Sequence, residues 1–192
     1  CMEKKEVIFY PENPVTRFLF NDTRSAAIWL IIRLYLGWAW LEAGIHKVAD
    51  DAWTGKNAGA AVSGFLKGAI EKASTTHDVM GWYAAFLETF CLPNAKIISF
   101  MVAYGEVLVG LGLIVGLFTA IAAFFGVLMN VAFLFAGTVS SNPRLLLLGI
   151  LVMLAWKVAG WYGLDRWALL KLGTPWGKIK KEENAETSMF NT

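Results

Sequence analysis

Residues 97–117 read IISFMVAYGEVLVGLGLIVGL, a run whose single formal charge is Glu106. About twenty such residues are what an α-helix needs to cross the hydrocarbon core of a bilayer, at about 1.5 Å of rise per residue. Lipid offers no partner to free backbone N–H and C=O groups, so the run must be helical there. Working outward, residues 26–45 (AAIWLIIRLYLGWAWLEAGI) form a second such run, carrying Arg33 and Glu42. On the other side come 119–137 with Asn130, and 145–161 with Lys157 near its end. The expected fold class is an all-α membrane protein, a four-transmembrane-helix bundle. An amphipathic insert over 46–96 separates the first two spans. The short gap between the second and third spans predicts a tight helical hairpin.

Composition agrees. Hydrophobic residues make up 57% and charged residues 17%, against about a quarter charged in ordinary soluble domains; mean hydropathy is +0.52. The nine Trp fall mostly near the ends of the apolar runs, where an indole can sit at headgroup level. A net charge of +2 gives no footing for nucleic acid. Arg33 and Glu42 also argue against reading the first span as a cleaved signal peptide.

Three regions follow: an N-terminal interfacial arm (1–25), a membrane domain (26–177) and a charged tail (178–192) expected to be mobile. In the arm, Pro11 and Pro14 argue against a continuous helix, and Asp22 or Thr23 can cap the helix that follows. Two amphipathic helices are expected in the insert, over 59–73 and 79–90, lying on the membrane surface or capping the bundle. Pro93 ends the second of them before span two. Cys1 precedes Met2, which reads as a start behind one extra residue; the alternative is a lipid-modified cysteine left after signal-peptide cleavage. Cys91 reads as a small packing residue, and two cysteines without a CxxC make no disulfide framework. Four spans put both termini on one side. Lys4, Lys5, Arg17, Arg24, Arg166, Lys171, Lys178, Lys180 and Lys181 lie there, which favours the cytoplasm.

An ionisable group within a span is costly and usually faces other helices or water. At about 100° per residue, Arg33, Gly37, Trp40, Gly44 and Lys47 share one stripe, and its glycines allow a neighbour to approach closely. Glu42 lies on the opposite face, with Tyr35, Trp38 and His46. In span two, Gly105, Val109, Gly112 and Gly116 form a small-residue face with Glu106 beside it. Arg33 and Glu106 are expected to pair inside the bundle. That pair is either structural or part of a polar, quinone-binding centre with Lys47, Asn130 and Trp53. Asn130 otherwise serves as interhelical glue, and Lys157 snorkels to the interface. His46 and Glu42 are the candidates for proton exchange.

Other cofactors lack ligands. The only histidines, His46 and His77, lie outside the core, so haem held between two histidines is unsupported. Iron–sulfur ligation needs about four cysteines. No dinucleotide fingerprint or phosphate loop is present, and no metal site is expected. Electron chemistry would need a bound quinone or a partner's cofactor.

The runs RLYLGWAWLEAGIHKVAD, YGEVLVGLGLIVGLFTAIAAFFG, AGTVSSNP and GWYGLDRW occur in the order found in the DoxX family, and the chain resembles its DoxD-like branch. That branch is the large subunit of thiosulfate:quinone oxidoreductase. The resemblance implies a four-span subunit of a quinone-linked oxidoreductase in a bacterial or archaeal plasma membrane. Its partners would be lipids and further oxidoreductase subunits, since no small subunit is fused here. The alternative is a non-catalytic accessory subunit stabilising a larger respiratory or photosynthetic complex.

Overall fold

The computed structural model describes residues 11–173. Cys1, the first lysines of the arm and the charged tail therefore lie outside the described residues. Every regular element among those described is helical.

The chain enters through α1 (Pro14–Asn21). Pro14 does not prevent this helix but opens it. At the first turn its missing N–H costs nothing, and the Asn13 side chain accepts from Val15 N at 2.9 Å. Asp22 then caps a short turn, accepting from Arg24 N at 2.9 Å. The Arg24 guanidinium beside it holds the Asp22 carboxyl below its ordinary range.

Helix α2 (Ala26–Ala49) follows, then the insert helices α3 (Ala60–Thr75) and α4 (Gly81–Phe86), the latter continued by a wide π turn over Leu87–Cys91. Next come α5 (Ala95–Val115), α6 (Thr119–Phe135), α7 (Asn142–Leu154) and α8 (Asp165–Leu172). The fourth apolar run is helical only to Leu154; residues 155–164 turn back beneath the bundle.

The apolar helices α2, α5, α6 and α7 pack in sequence around one core, with α2 chiefly on α5 and α6 chiefly on α7. Trp29, Leu36, Trp40, Val109, Leu113 and Val152 fill it. Helices α2 and α5 are long and apolar enough to cross a bilayer, while α6 and α7 are shorter apolar helices. Only 33% of each long span is buried. Ile31, Met101 and Leu108 stand 71%, 68% and 68% exposed. Apolar surface this continuous is not tolerated by water and marks a lipid-facing wall.

Three glycines set the α2–α5 seam. A Cβ on Gly37 would meet Ile114 Cγ1 at 2.7 Å, one on Gly44 the Val107 N at 2.6 Å, and one on Gly110 the Leu41 N at 2.5 Å. The helices are thus antiparallel and in near backbone contact. The expected small-residue face of span two is real but turned to α6: a Cβ on Gly105 would meet Met129 Sδ at 3.6 Å, and one on Gly112 the Ala122 Cβ at 3.0 Å. Gly110, not singled out in the sequence, is what admits α2.

The insert forms a cap with its own core of Val62, Leu66, Val79, Leu87 and Cys91. Hydrogen bonds tie it to the bundle, among them Tyr83 donating to Ala132 O at 3.0 Å and Lys72 to Gly137 O at 2.9 Å. Burial pushes the Cys91 thiol above its ordinary pKa, which keeps it protonated and leaves it a packing residue.

Candidate functional site

The α2 stripe faces inward as expected: Arg33, Gly37, Trp40 and Gly44 are buried. The pairing across it is different from the expected one. Glu106, 1% exposed, accepts from Lys47 Nζ at 2.6 Å, and Arg33 is not its partner. The cause is the antiparallel register. Gly44 contacts Glu106 and Val107, whereas Gly37 contacts Gly110 and Ile114. Arg33 therefore lies at the far end of α5, about 20 Å along the axis from Lys47.

The loop after α2 covers the Lys47–Glu106 pair. Lys47 Nζ lies 5.1 Å from the Trp53 ring centroid, a cation–π distance. Trp53 is held by Ser99 Oγ donating to its carbonyl at 2.6 Å, and Thr54 Oγ1 ties the loop back to Val48 O at 2.8 Å. The Lys47 side chain keeps 21% exposure against 2% for Glu106, so what exposure the pair has lies on the lysine. A buried carboxylate, a half-buried lysine and an indole roof can exchange a proton with a group arriving at the mouth, or can simply lock α2 to α5.

Asn130 is buried on α6, and neither amide atom has a partner within the described residues. It does not act as interhelical glue here. The Gly105–Met129 contact places Asn130 within about 3 Å of the depth of Glu106. Trp40 fills the level below, its Nε1 lying 3.1 Å from where a Gly126 Cβ would sit. His46 and Glu42 are both exposed on the outer side of α2, away from the pair. Lys157 donates to Asn21 Oδ1 of α1 at 2.8 Å.

Arg33 belongs to a second polar cluster at the opposite end. Its guanidinium packs against Gly116 and Gly163 and donates to Tyr162 O at 3.0 Å; Nε and Nη1 have no partner among the described residues. Asp165 joins the same corner, its backbone N–H donating to Gly116 O at 2.7 Å, and forms no salt bridge with Arg33 among the described residues. Asp165 itself accepts from Phe118 N at 2.6 Å and Thr119 N at 2.9 Å. It thereby caps α6, whose own N-cap residue is Phe118 at φ +50° and has no oxygen to offer. Sequence reading missed Asp165. The available signal was the carboxylate of Asp165 in the run WYGLDRW, together with a GLFT turn whose residue before Thr119 has no capping side chain.

An open depression of about 550 Å³ lies beside the cap, lined by Lys56, Ser63, Leu92 and Lys96 among others. It includes none of His46, Lys47 or Glu106. No group of three or more His, Cys, Asp or Glu side chains able to hold a metal occurs among the described residues.

A helical bundle with a lipid-facing wall, and with Arg33 and Glu106 enclosed between helices, defines a small integral membrane protein with a capped polar centre. The chain belongs to the DoxX family, whose model matches residues 28–138. The match runs from the first span, through the insert, to the end of α6. Comparison with curated proteins and with solved structures finds no match to either.

Proposed function

We propose that this DoxX-family protein is a membrane subunit of a quinone-linked oxidoreductase, of the DoxD-like, thiosulfate:quinone kind, and that Lys47 and Glu106 handle its protons. The observation carrying this reading is the pair itself. An intramembrane carboxylate bound to a half-buried lysine under an aromatic roof is costly to maintain, and such groups mark proton or ligand paths. Reducing a quinone takes two electrons and two protons. The electrons come from a partner subunit and its donor; the Lys47 ammonium delivers one proton to a quinone oxygen and regains it from water, Glu106 holds that ammonium in place, and the second proton is drawn from water as well. The unpartnered Asn130 amide is a further hydrogen-bonding group at that depth. His46 and Glu42, the first candidates for proton exchange, face outward and take no part.

The test is quinone reduction in vesicles containing the protein with its co-purifying subunits, supplied with thiosulfate and a short-tailed benzoquinone. Glu106→Gln keeps an acceptor for Lys47 but removes the carboxylate charge that holds the ammonium protonated and in place, and should lower turnover by about 10²-fold or more. His46→Ala should leave it unchanged. Equal turnover in Glu106→Gln and the unaltered protein removes the pair from the mechanism.

One observation favours the accessory reading: the α2–α5 seam is closed by backbone contacts at Gly37, Gly44 and Gly110, so no quinone ring can enter between these helices. Absence of any quinone reduction, with the complex falling apart when the protein is removed, would establish that reading.

We place all four apolar helices across a bacterial or archaeal plasma membrane, with both termini cytoplasmic and the cap outside. A cysteine at Lys56 should then react with an impermeant maleimide added to intact cells, and one at Lys180 should not. The reverse pattern would invert the topology.

A further inference from the structure

Helix α2 also presents a stripe to the outside. Ile31, Tyr35, Trp38, Glu42 and Ile45 succeed one another at steps of four, three, four and three residues, the seam spacing of paired helices. All five are exposed; Ile31, Trp38 and Ile45 are 71%, 63% and 53% so. Four of them are ordinary for a lipid-facing wall, and Glu42 is not. It takes part in neither ion pair of the described residues. It stands seven residues before the end of α2, about 10 Å in from that end. Arg144 does not neutralise it. That guanidinium lies 5.7 Å from the Tyr35 ring centroid, seven residues back along the helix. His46, one turn further on and also exposed, extends the polar end of the stripe.

We propose that this stripe docks a transmembrane helix of a different membrane protein, one carrying a Lys, Arg or His side chain at the depth of Glu42. Charge complementarity selects that occupant. Exposed toward the end of an apolar span and outside both ion pairs, an ionised carboxylate is costly and seeks a donor; the seam spacing offers a helix to supply it. A second copy of this protein fits poorly. Two copies related by an axis along the membrane normal would meet at equal depth and set one Glu42 against the other, like charge on like. The inference rests on the membrane reading above and on no step of the quinone chemistry.

Photo-crosslinking in membranes of the native host tests it, with p-benzoylphenylalanine replacing Trp38 on the stripe or, as a control, Leu108 on α5. The Trp38 variant should yield one protein adduct whose linked peptide maps to a transmembrane helix containing Lys, Arg or His; the Leu108 variant should not. Adding Glu42→Lys should cut that yield by about tenfold or more, and exchanging the partner's basic residue for glutamate should restore it. If Glu42→Lys does not accumulate in the membrane, Glu42→Gln serves, with a loss of about threefold expected. An adduct of twice the chain mass, lipid adducts alone, or a yield indifferent to both Glu42 changes overturns the proposal. Quinone turnover in Glu106→Gln is a separate readout, so failure of docking and failure of the oxidoreductase reading are told apart.

Discussion

Lys47→Met should destabilise the bundle by about 3–5 kcal/mol, the cost of leaving one member of a buried ion pair alone. Glu106 is 1% exposed and has Lys47 as its ion-pair partner, so nothing else in the described structure takes over the charge. The double change Lys47→Met with Glu106→Leu should recover most of the loss, since apolar replacement of both partners is often neutral or stabilising. Thermal unfolding in detergent measures each variant. The same cycle run on Arg33 and Glu106, the pair expected from sequence, should give a coupling within about 0.5 kcal/mol of zero, as for residues that share no contact. Strong coupling there, with none between Lys47 and Glu106, would show the register described above to be wrong.

Gly110→Ala should be more disruptive still, although it adds one methyl group. The new Cβ would lie 2.5 Å from Leu41 N and 2.7 Å from Leu41 Cα. These are backbone atoms of a continuous helix and cannot swing aside. The two helices must separate, which exceeds the roughly 1–3 kcal/mol of ordinary core overpacking because contacts at Gly37, Gly44 and Lys47 loosen together. The expected outcome is loss of the monodisperse folded fraction on size exclusion in detergent. Two other changes of the same kind discriminate this from a general aversion to alanine. Gly105→Ala meets only Met129 Sδ, at 3.6 Å, and should be tolerated. Gly68→Ala, with nothing within 4 Å in α3, should stabilise by about 0.5–1 kcal/mol through helix propensity. Equal folded yields for Gly110→Ala and Gly68→Ala would refute the close seam.

Residue type and period by themselves determined the helical class, the apolar runs, the amphipathic insert and the inward stripe from Arg33 to Lys47. These properties are local: the length of an apolar run sets whether it can span, and the angle per residue sets which side chains share a face. Which charge meets which was not local. Arg33 and Lys47 lie on the same stripe and either could satisfy Glu106; the axial offset of α2 on α5 decides, and that offset is set by where Gly37, Gly44 and Gly110 let two backbones touch. The cap on α6 is likewise tertiary, because Asp165 reaches Phe118 and Thr119 across more than forty residues. The outward position of His46 beside an inward Lys47 follows from a single residue's rotation about the helix. It became meaningful only once α5 and the Trp53 loop had taken one side of α2 and left the other to the membrane.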